Sequence, residues 1–269
     1  NLNWKVNARE LCDSTGLEQI ELINDFSVLI YGLPFLAGEQ QVVLQLGQKK
    51  VPVMGPIAIL GAGTGLGMAR GLIKENNISA LPSEGGHREF APRSETEWKL
   101  AQWLKADLHL ERLSMERIVS GKGLGHIAYW RLQQSDVDYH PLREVAHAWR
   151  HGNSKQLKKA DLPALASKAA HEGDMLMQEV LMLWLSAYGS AAGDLALQEL
   201  CTGGLWVGGG TAAKHIEGLR SNTFLKALRN KGRFQPFLET LPVMALIDPE
   251  AGLFSAASRA HMLLRQMGN

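Results

Sequence analysis

Residues 19–23 alternate polar and apolar side chains before Asn24-Asp25-Phe26, and this period of two predicts a strand that delivers a carboxylate at its C-terminal end. A second apolar run, Pro56-Ile57-Ala58-Ile59-Leu60, leads into Gly61-Ala62-Gly63-Thr64-Gly65-Leu66-Gly67, and an approximate alternation resumes through Leu66, Met68, Leu72 and Ile73. These two stretches predict a hairpin closed by a glycine turn. Ser94 followed by Glu97 has the form of a capping box, and Trp98, Leu100, Ala101 and Leu104 supply the apolar face of the helix it starts. Helices are also expected over 125–134 and from a start at Asp161 and Pro163. Dense apolar helical spacing from Met175 through Cys201 predicts a central core helix, with breaks expected near Gly189 or Gly193. Gly203-Gly204-Leu205-Trp206-Val207 reads as a strand entering Gly208-Gly209-Gly210, with a helix beyond Thr211. Residues 242–247 form a last strand that passes through Asp248-Pro249 to a terminal helix including Ala256 to Leu264. Strands alternating with helices indicate an α/β fold. No internal repeat or Pro/Gly/Ser-rich linker divides the chain, so any second domain must be built from interleaved segments.

Composition narrows the partners. The 269 residues are 45% apolar and 20% charged, which excludes a disordered or disulfide-stapled chain. With 28 basic against 27 acidic residues, the +1 net charge offers no broad footprint for nucleic acid or an anionic membrane. Cys12 and Cys201 are isolated, which suggests neither a metal cluster nor a disulfide framework and points to a reducing compartment. The uncharged stretch 180–193 is short of the roughly 20 residues of a membrane span and is read as a buried helix. The first residue is Asn1 rather than Met, and no basic-then-apolar signal segment follows it.

Common motifs fail letter by letter. From Gly61, the dinucleotide pattern requires glycine where Leu66 stands; Gly121-Lys122 lacks the rest of a Walker loop; His171-Glu172 lacks the second histidine of a zinc helix. Residues 61–67 remain. Their glycines permit close backbone approach to phosphate while Thr64 adds a hydroxyl, although a tight hairpin accounts for the same glycines. Glu84-Gly85-Gly86-His87 places a carboxylate and an imidazole around two glycines, which suits a polyhydroxylated ligand or equally a surface turn. Asp25 is a candidate base with Asn24 orienting the substrate, or the pair makes an ordinary turn. Glu116 is either a ligand for hydroxyls or a local partner of Arg112 or Arg117. Lys226, Arg229, Lys231 and Arg233 read as a solvated face.

The motifs Leu22-Ile23-Asn24-Asp25-Phe26, residues 61–67, Pro82-Ser83-Glu84-Gly85-Gly86-His87, Glu116-Arg117-Ile118-Val119-Ser120-Gly121, residues 203–210 and Lys231-Gly232-Arg233-Phe234 together resemble the bacterial-type glucokinases. The likeness runs through essentially the whole chain. It implies the two-domain hexokinase/actin-like (ribonuclease H-like) α/β fold. Residues 1–34 and 252–269 would be an incomplete small domain, and residues 35–251 the large one. The resemblance further implies ATP-dependent phosphorylation of D-glucose at O6, the first step of glycolytic glucose use. Asp25 would be the base for the 6-hydroxyl, and Asn24, Glu84, His87 and Glu116 would hold other hydroxyls. Gly61, Gly63, Thr64 and Gly65 match the phosphate-contacting turn, and Gly208, Gly209 and Gly210 the part of the cleft near adenosine. Mg²⁺ accompanying ATP, a homodimer and a cytoplasmic location belong to the same implication, with no residue assigned as a metal ligand. The lack of a cysteine-rich zinc motif favours this group over the repressor/open-reading-frame/kinase family. One departure stands out: the D-x-G-G-T phosphate strand of such kinases does not occur here, and Val207-Gly208-Gly209-Gly210-Thr211 has Val for Asp. The expectation is a chain shortened at its N-terminus, with two alternatives: a noncatalytic sugar-binding or regulatory derivative, or a kinase for another hexose or donor.

Overall fold

The structure is a computed structural model that describes residues 5–48, 54–75, 77–152 and 161–267. Among these, strands β1 (Gln41–Gln45), β2 (Gly55–Ala62), β3 (Leu66–Lys74), β4 (Asn77–Ser83), β5 (Gly204–Gly208) and β6 (Val243–Leu246) form one sheet in the order β1-β6-β5-β2-β3-β4. The expected hairpin is β2–β3, antiparallel, with Gly61 opposite Gly67. β5 lies parallel to both β2 and β6, and Gly208 comes beside Gly61. Apolar residues on both faces of β2 explain its central place, because a strand buried on two sides reads as a continuous apolar run. Ala58 and Leu60 join one core with Trp184 and Tyr188, whereas Ile57 and Ile59 join another with Leu29, Ile30 and Leu33.

The described helices are α1 (Ala8–Thr15), α2 (Glu95–Asp107), α3 (Gly121–Leu132), α4 (Arg143–His151), α5 (Leu162–His171), α6 (Met175–Glu199), α7 (Ile216–Arg220), α8 (Asn222–Arg229), α9 (Gln235–Thr240) and α10 (Ala251–Met267). Helix α2 starts as expected, Ser94 Oγ accepting from Glu97 N at 3.2 Å. The Glu97 carboxylate reaches one residue further back than a capping box requires, accepting from Arg93 N at 2.6 Å. Asp161 caps α5 through Ala164 N at 3.2 Å. Helix α3 begins at Gly121, four residues before the expected start, because Ser120 Oγ accepts from Gly123 N at 2.9 Å and so fixes the cap there. Beyond Thr211 the chain makes a 3₁₀ turn, Ala213–His215, before α7 and α8.

Two expectations are corrected. Residues 19–23 form no strand: they pair with no described strand, and Leu22 is half exposed. Alternation predicts extension, but a strand also needs a hydrogen-bonded neighbour. The long helix α6 is unbroken at Gly189 and Gly193. Both glycines are points of close approach, since a Cβ at Gly189 would lie 2.2 Å from Phe224 O and one at Gly193 2.2 Å from Leu228 O, both on α8. The energetic sign of Gly189→Ala follows. Alanine is worth about 1 kcal/mol over glycine in a helix interior, yet overpacking against a backbone atom costs about 1–3 kcal/mol. A net loss of stability is therefore expected, read as a lowered melting temperature. Helix α6 has the length and hydropathy of a membrane span, but 67% of its most apolar window is buried inside the protein.

The N-terminal segment and α10 cover the sheet face opposite α6. Arg259 on α10 donates to Glu21 at 2.7 Å, and its guanidinium lies 4.8 Å from the Tyr31 ring centroid.

Candidate functional site

Asn24 shapes the turn that presents Asp25. Its Oδ1 accepts from Phe26 N at 3.1 Å, Ser27 N at 3.0 Å and Ser27 Oγ at 3.2 Å, which starts the 3₁₀ turn Ser27–Tyr31. The Asn24 amide nitrogen and the Asp25 carboxylate bond no other described residue and stay accessible. Phe26 fastens this segment to the β2–β3 hairpin. Its ring occupies the space that Cβ atoms of Gly61 and Gly67 would fill, at 2.7 Å and 2.6 Å respectively.

The glycine turn is built with similar closeness. Gly63 N donates to Gly65 O at 2.8 Å, and Gly63 O accepts from Gly121 N at 2.8 Å, tying the turn to the start of α3. A Cβ at Gly65 would meet Glu116 Oε2 at 2.5 Å. That same oxygen accepts from Leu66 N at 3.1 Å, so the half-buried Glu116 is anchored by the hairpin. Among the described residues Glu116 pairs with neither of the arginines considered from sequence; Arg112 instead donates to His87 O at 2.8 Å. Glu84 and His87 sit at the two ends of a tight turn, Oε2 and Nε2 3.8 Å apart and both well exposed.

The next strand end is tied in by Tyr188 of α6. Its fully buried hydroxyl accepts from Ala62 N at 3.1 Å and donates to Gly208 O at 3.1 Å. Burial pushes the phenol's pKa far above its ordinary value, partly countered by the bond from Ala62, so it stays a neutral bridge. Tyr188→Phe leaves Ala62 N–H and Gly208 C=O unpaired in a dry place. The expected cost is about 1–3 kcal/mol, measured as a shifted urea midpoint. Gly209 follows with φ +84°, where a Cβ would lie 2.5 Å from Ala62 O; only glycine takes this step without strain. Thr211 Oγ1 then donates to Ala62 O at 2.7 Å.

These pieces enclose two cavities. One, of about 370 Å³, is lined by Asn24, Asp25, Glu84, His87 and Glu116 with the turn glycines Gly61, Gly63 and Gly65. All five polar candidates thus meet, although they are separated by up to 92 positions in the chain (116 minus 24). The second, of about 660 Å³, is lined on one side by Lys122 and α5, and on the other by Gly210, Thr211, Lys214 and His215. Gly63 and Thr64 line both cavities. Of the later glycines, Gly210 lines the second cavity, Gly209 the first, and Gly208 is buried in β5. The sequence reading missed Lys122, His171, Lys214 and His215. Gly121-Lys122 and His171-Glu172 match only fragments of other motifs, yet Gly121, Lys122 and His171 line this second cavity. Of the basic series read as a solvated face, Lys231 is instead bound to Asp194 at 2.6 Å and Ser190 at 2.9 Å, and Arg229 to Gln45 at 2.6 Å. Among the described residues no three His, Cys, Asp or Glu groups gather as a metal cage.

Comparison with known proteins decides the family. The glucokinase family model matches residues 1–263. The chain belongs to the glucokinase family. A glucokinase of Synechocystis sp. is 39% identical over 96% of this chain and 73% of its own length. One of Trichormus variabilis is 37% identical over 96% of this chain and 75% of its own. This glucokinase-family chain therefore spans about three quarters of such relatives. A crystal structure of glucokinase from an Antarctic psychrotroph superposes with TM-score 0.76 at 28% identity, covering 94% of this chain and 72% of that one. A ROK family glucokinase from Streptomyces griseus, at 20% identity and TM-score 0.56 over 96% of this chain and 74% of that one, shares the fold alone. The fold is the hexokinase/actin-like α/β type expected from the sequence.

Proposed function

We propose that this glucokinase-family protein transfers the γ-phosphoryl group of ATP to O6 of D-glucose. The observation that carries the reading is the meeting at Gly63 and Thr64 of a carboxylate-rich cavity and a larger one bearing Lys122, Lys168 and Lys214. A sugar needs several convergent donors and acceptors, and a triphosphate needs cations and free N–H groups.

The roles follow from what each group offers. Glu116 and Glu84 accept from sugar hydroxyls, the Asn24 amide donates, and the His87 ring can do either. Asp25 takes the O6 proton as that oxygen attacks the γ-phosphorus; the bond to the bridging oxygen breaks and ADP leaves. A positioned base is worth about 10²–10⁴-fold. Gly63, Thr64 and Gly65 approach the transferring phosphate, and Gly61 gives the turn its close packing. Gly208, Gly209 and Gly210 carry the chain from β5 past the nucleotide. Mg²⁺ suits this arrangement because it is ordinarily held by phosphate oxygens, water and one or two carboxylates rather than by a protein cage. When bound it would neutralise phosphate charge.

Residues 1–34 and 252–269 are proposed to belong to one domain and 35–251 to the other; the Arg259–Glu21 pair supports joining the two terminal segments. A cytoplasmic setting, entry of the product into glycolysis and a homodimer complete the proposal, the last read by sedimentation. The direct test is formation of glucose 6-phosphate from glucose and Mg-ATP. Turnover supports the reading; glucose binding without turnover favours the noncatalytic alternative.

A further inference from the structure

The second cavity holds two histidines that the reaction does not use. His215 is 4% exposed, and its ring packs near Trp184, 5.4 Å away, and His171, 5.8 Å away and nearly parallel at 25°. Its Nδ1 is sealed from solvent with no partner among the described residues. A ring nitrogen left without a partner is cheaper as a bare lone pair than as an N–H, because a buried unpaired donor carries the larger penalty. The proton therefore rests on Nε2, which bonds no described residue and belongs to a ring that lines the cavity. His171 is set the opposite way. Its Nδ1 lies 2.6 Å from Ser167 O and must donate to that carbonyl, which leaves Nε2 as an acceptor. Burial first, then His171 and Lys214, push the His215 pKa down to about 4. The ring is accordingly neutral near pH 7 and adds no charge to a wall that already carries Lys214.

We propose that His215 and His171 read the base of the phosphoryl donor, His215 Nε2–H donating and His171 Nε2 accepting, so that the cavity selects adenine over guanine. This rests on the reading of the second cavity as the nucleotide site. Adenine offers an N7 acceptor beside its 6-amino donor, whereas guanine offers two acceptors at the same edge. Guanine would set O6 against the lone pair of His171, and a site built to hydrogen-bond one partner strongly rejects another that leaves its polar groups unpaired. Buried and packed near Trp184 and His171, the His215 ring has its direction set before the base arrives.

The test is calorimetric titration of the whole protein with ADP and with GDP, which needs no turnover. The wild type is expected to prefer ADP by at least about tenfold, the worth of one well-placed hydrogen bond. His171→Ala, at an exposed position, and His215→Phe should each bring the ADP-to-GDP preference down toward one. His215→Gln, which keeps an N–H near the Nε2 position, should recover most of it. Melting curves and glucose affinity report whether each variant is folded, and His171→Ala decides the matter if His215→Phe is not. A preference unchanged in His171→Ala overturns the assignment, as does a wild type that binds neither nucleotide or both equally. If the preference follows the histidines but no glucose 6-phosphate forms, the base assignment stands and the catalytic reading falls.

Discussion

Replacing Asp25 by alanine lowers glucose 6-phosphate formation by about 10²–10⁴-fold, the span of a lost general base, while glucose binding stays measurable. The reason for expecting a chemical rather than a structural loss lies in the turn. Asp25 is exposed and bonds no described residue, and the turn is held by Asn24 Oδ1 and by Phe26 packed on the hairpin. Surface changes of this kind shift stability by no more than about 0.5 kcal/mol. Asp25→Asn keeps the shape and removes the charge, so it should resemble the alanine variant in turnover. Initial rates and a glucose titration on the same preparations check both. Near-normal turnover in either variant removes Asp25 from the role of base.

Gly86→Ala is expected to raise the KM for glucose at least about tenfold and to cost about 1–3 kcal/mol of stability, the range for overpacking a filled site. A Cβ at Gly86 would lie 2.0 Å from Leu66 O. That neighbour is backbone at the start of β3 and cannot swing aside. Leu66 also donates its N–H to Glu116, so the displacement reaches together two groups proposed to hold the sugar: the Glu84–His87 turn and the Glu116 carboxylate. Gly85→Ala is the control. Its Cβ would meet the Met68 sulfur at 2.8 Å, the end of a flexible side chain that can move. A KM for glucose that is the same in the two variants would remove the backbone clash as the cause.

How much of this was legible before the structure depended on whether the information is local. The β2–β3 hairpin, β5, β6 and the Asp161 start of α5 were readable because alternation, turn glycines and caps act within a few residues. Missed were α1, α4, α9, β1 and β4. β4 hides its pairing behind Pro82 and polar positions, and β1 is a short Val-Val-Leu run between glutamines. Gly189 and Gly193 suggested a broken helix since a missing side chain looks the same in sequence whether it frees the backbone or admits a neighbour. Residues 19–23 carried the alternation of a strand without a partner to pair with, and pairing is a tertiary fact. The candidate residues Asn24, Asp25, Glu84, His87 and Glu116 were proposed through family likeness, their individual motifs being ambiguous; the structure brings them to one cavity. His215 carried no signal and His171 only a failed zinc-helix fragment: their significance comes from a buried nitrogen without a partner among the described residues and a ring beside it, neither of which spacing can reveal.

Phe26 and the facing pair Gly61 and Gly67 also constrain how this sequence can change. One ring fills both vacancies, so enlarging either glycine while the ring is present drives atoms together, and shrinking the ring while both glycines remain opens a hole beneath the Asn24-Asp25 turn. Each single step is therefore worse than the start, although a smaller residue at 26 combined with a larger one at 61 or 67 could restore the fit. The three positions form an epistatic unit, and drift through it requires coordinated replacement in which the order of steps decides which intermediates survive.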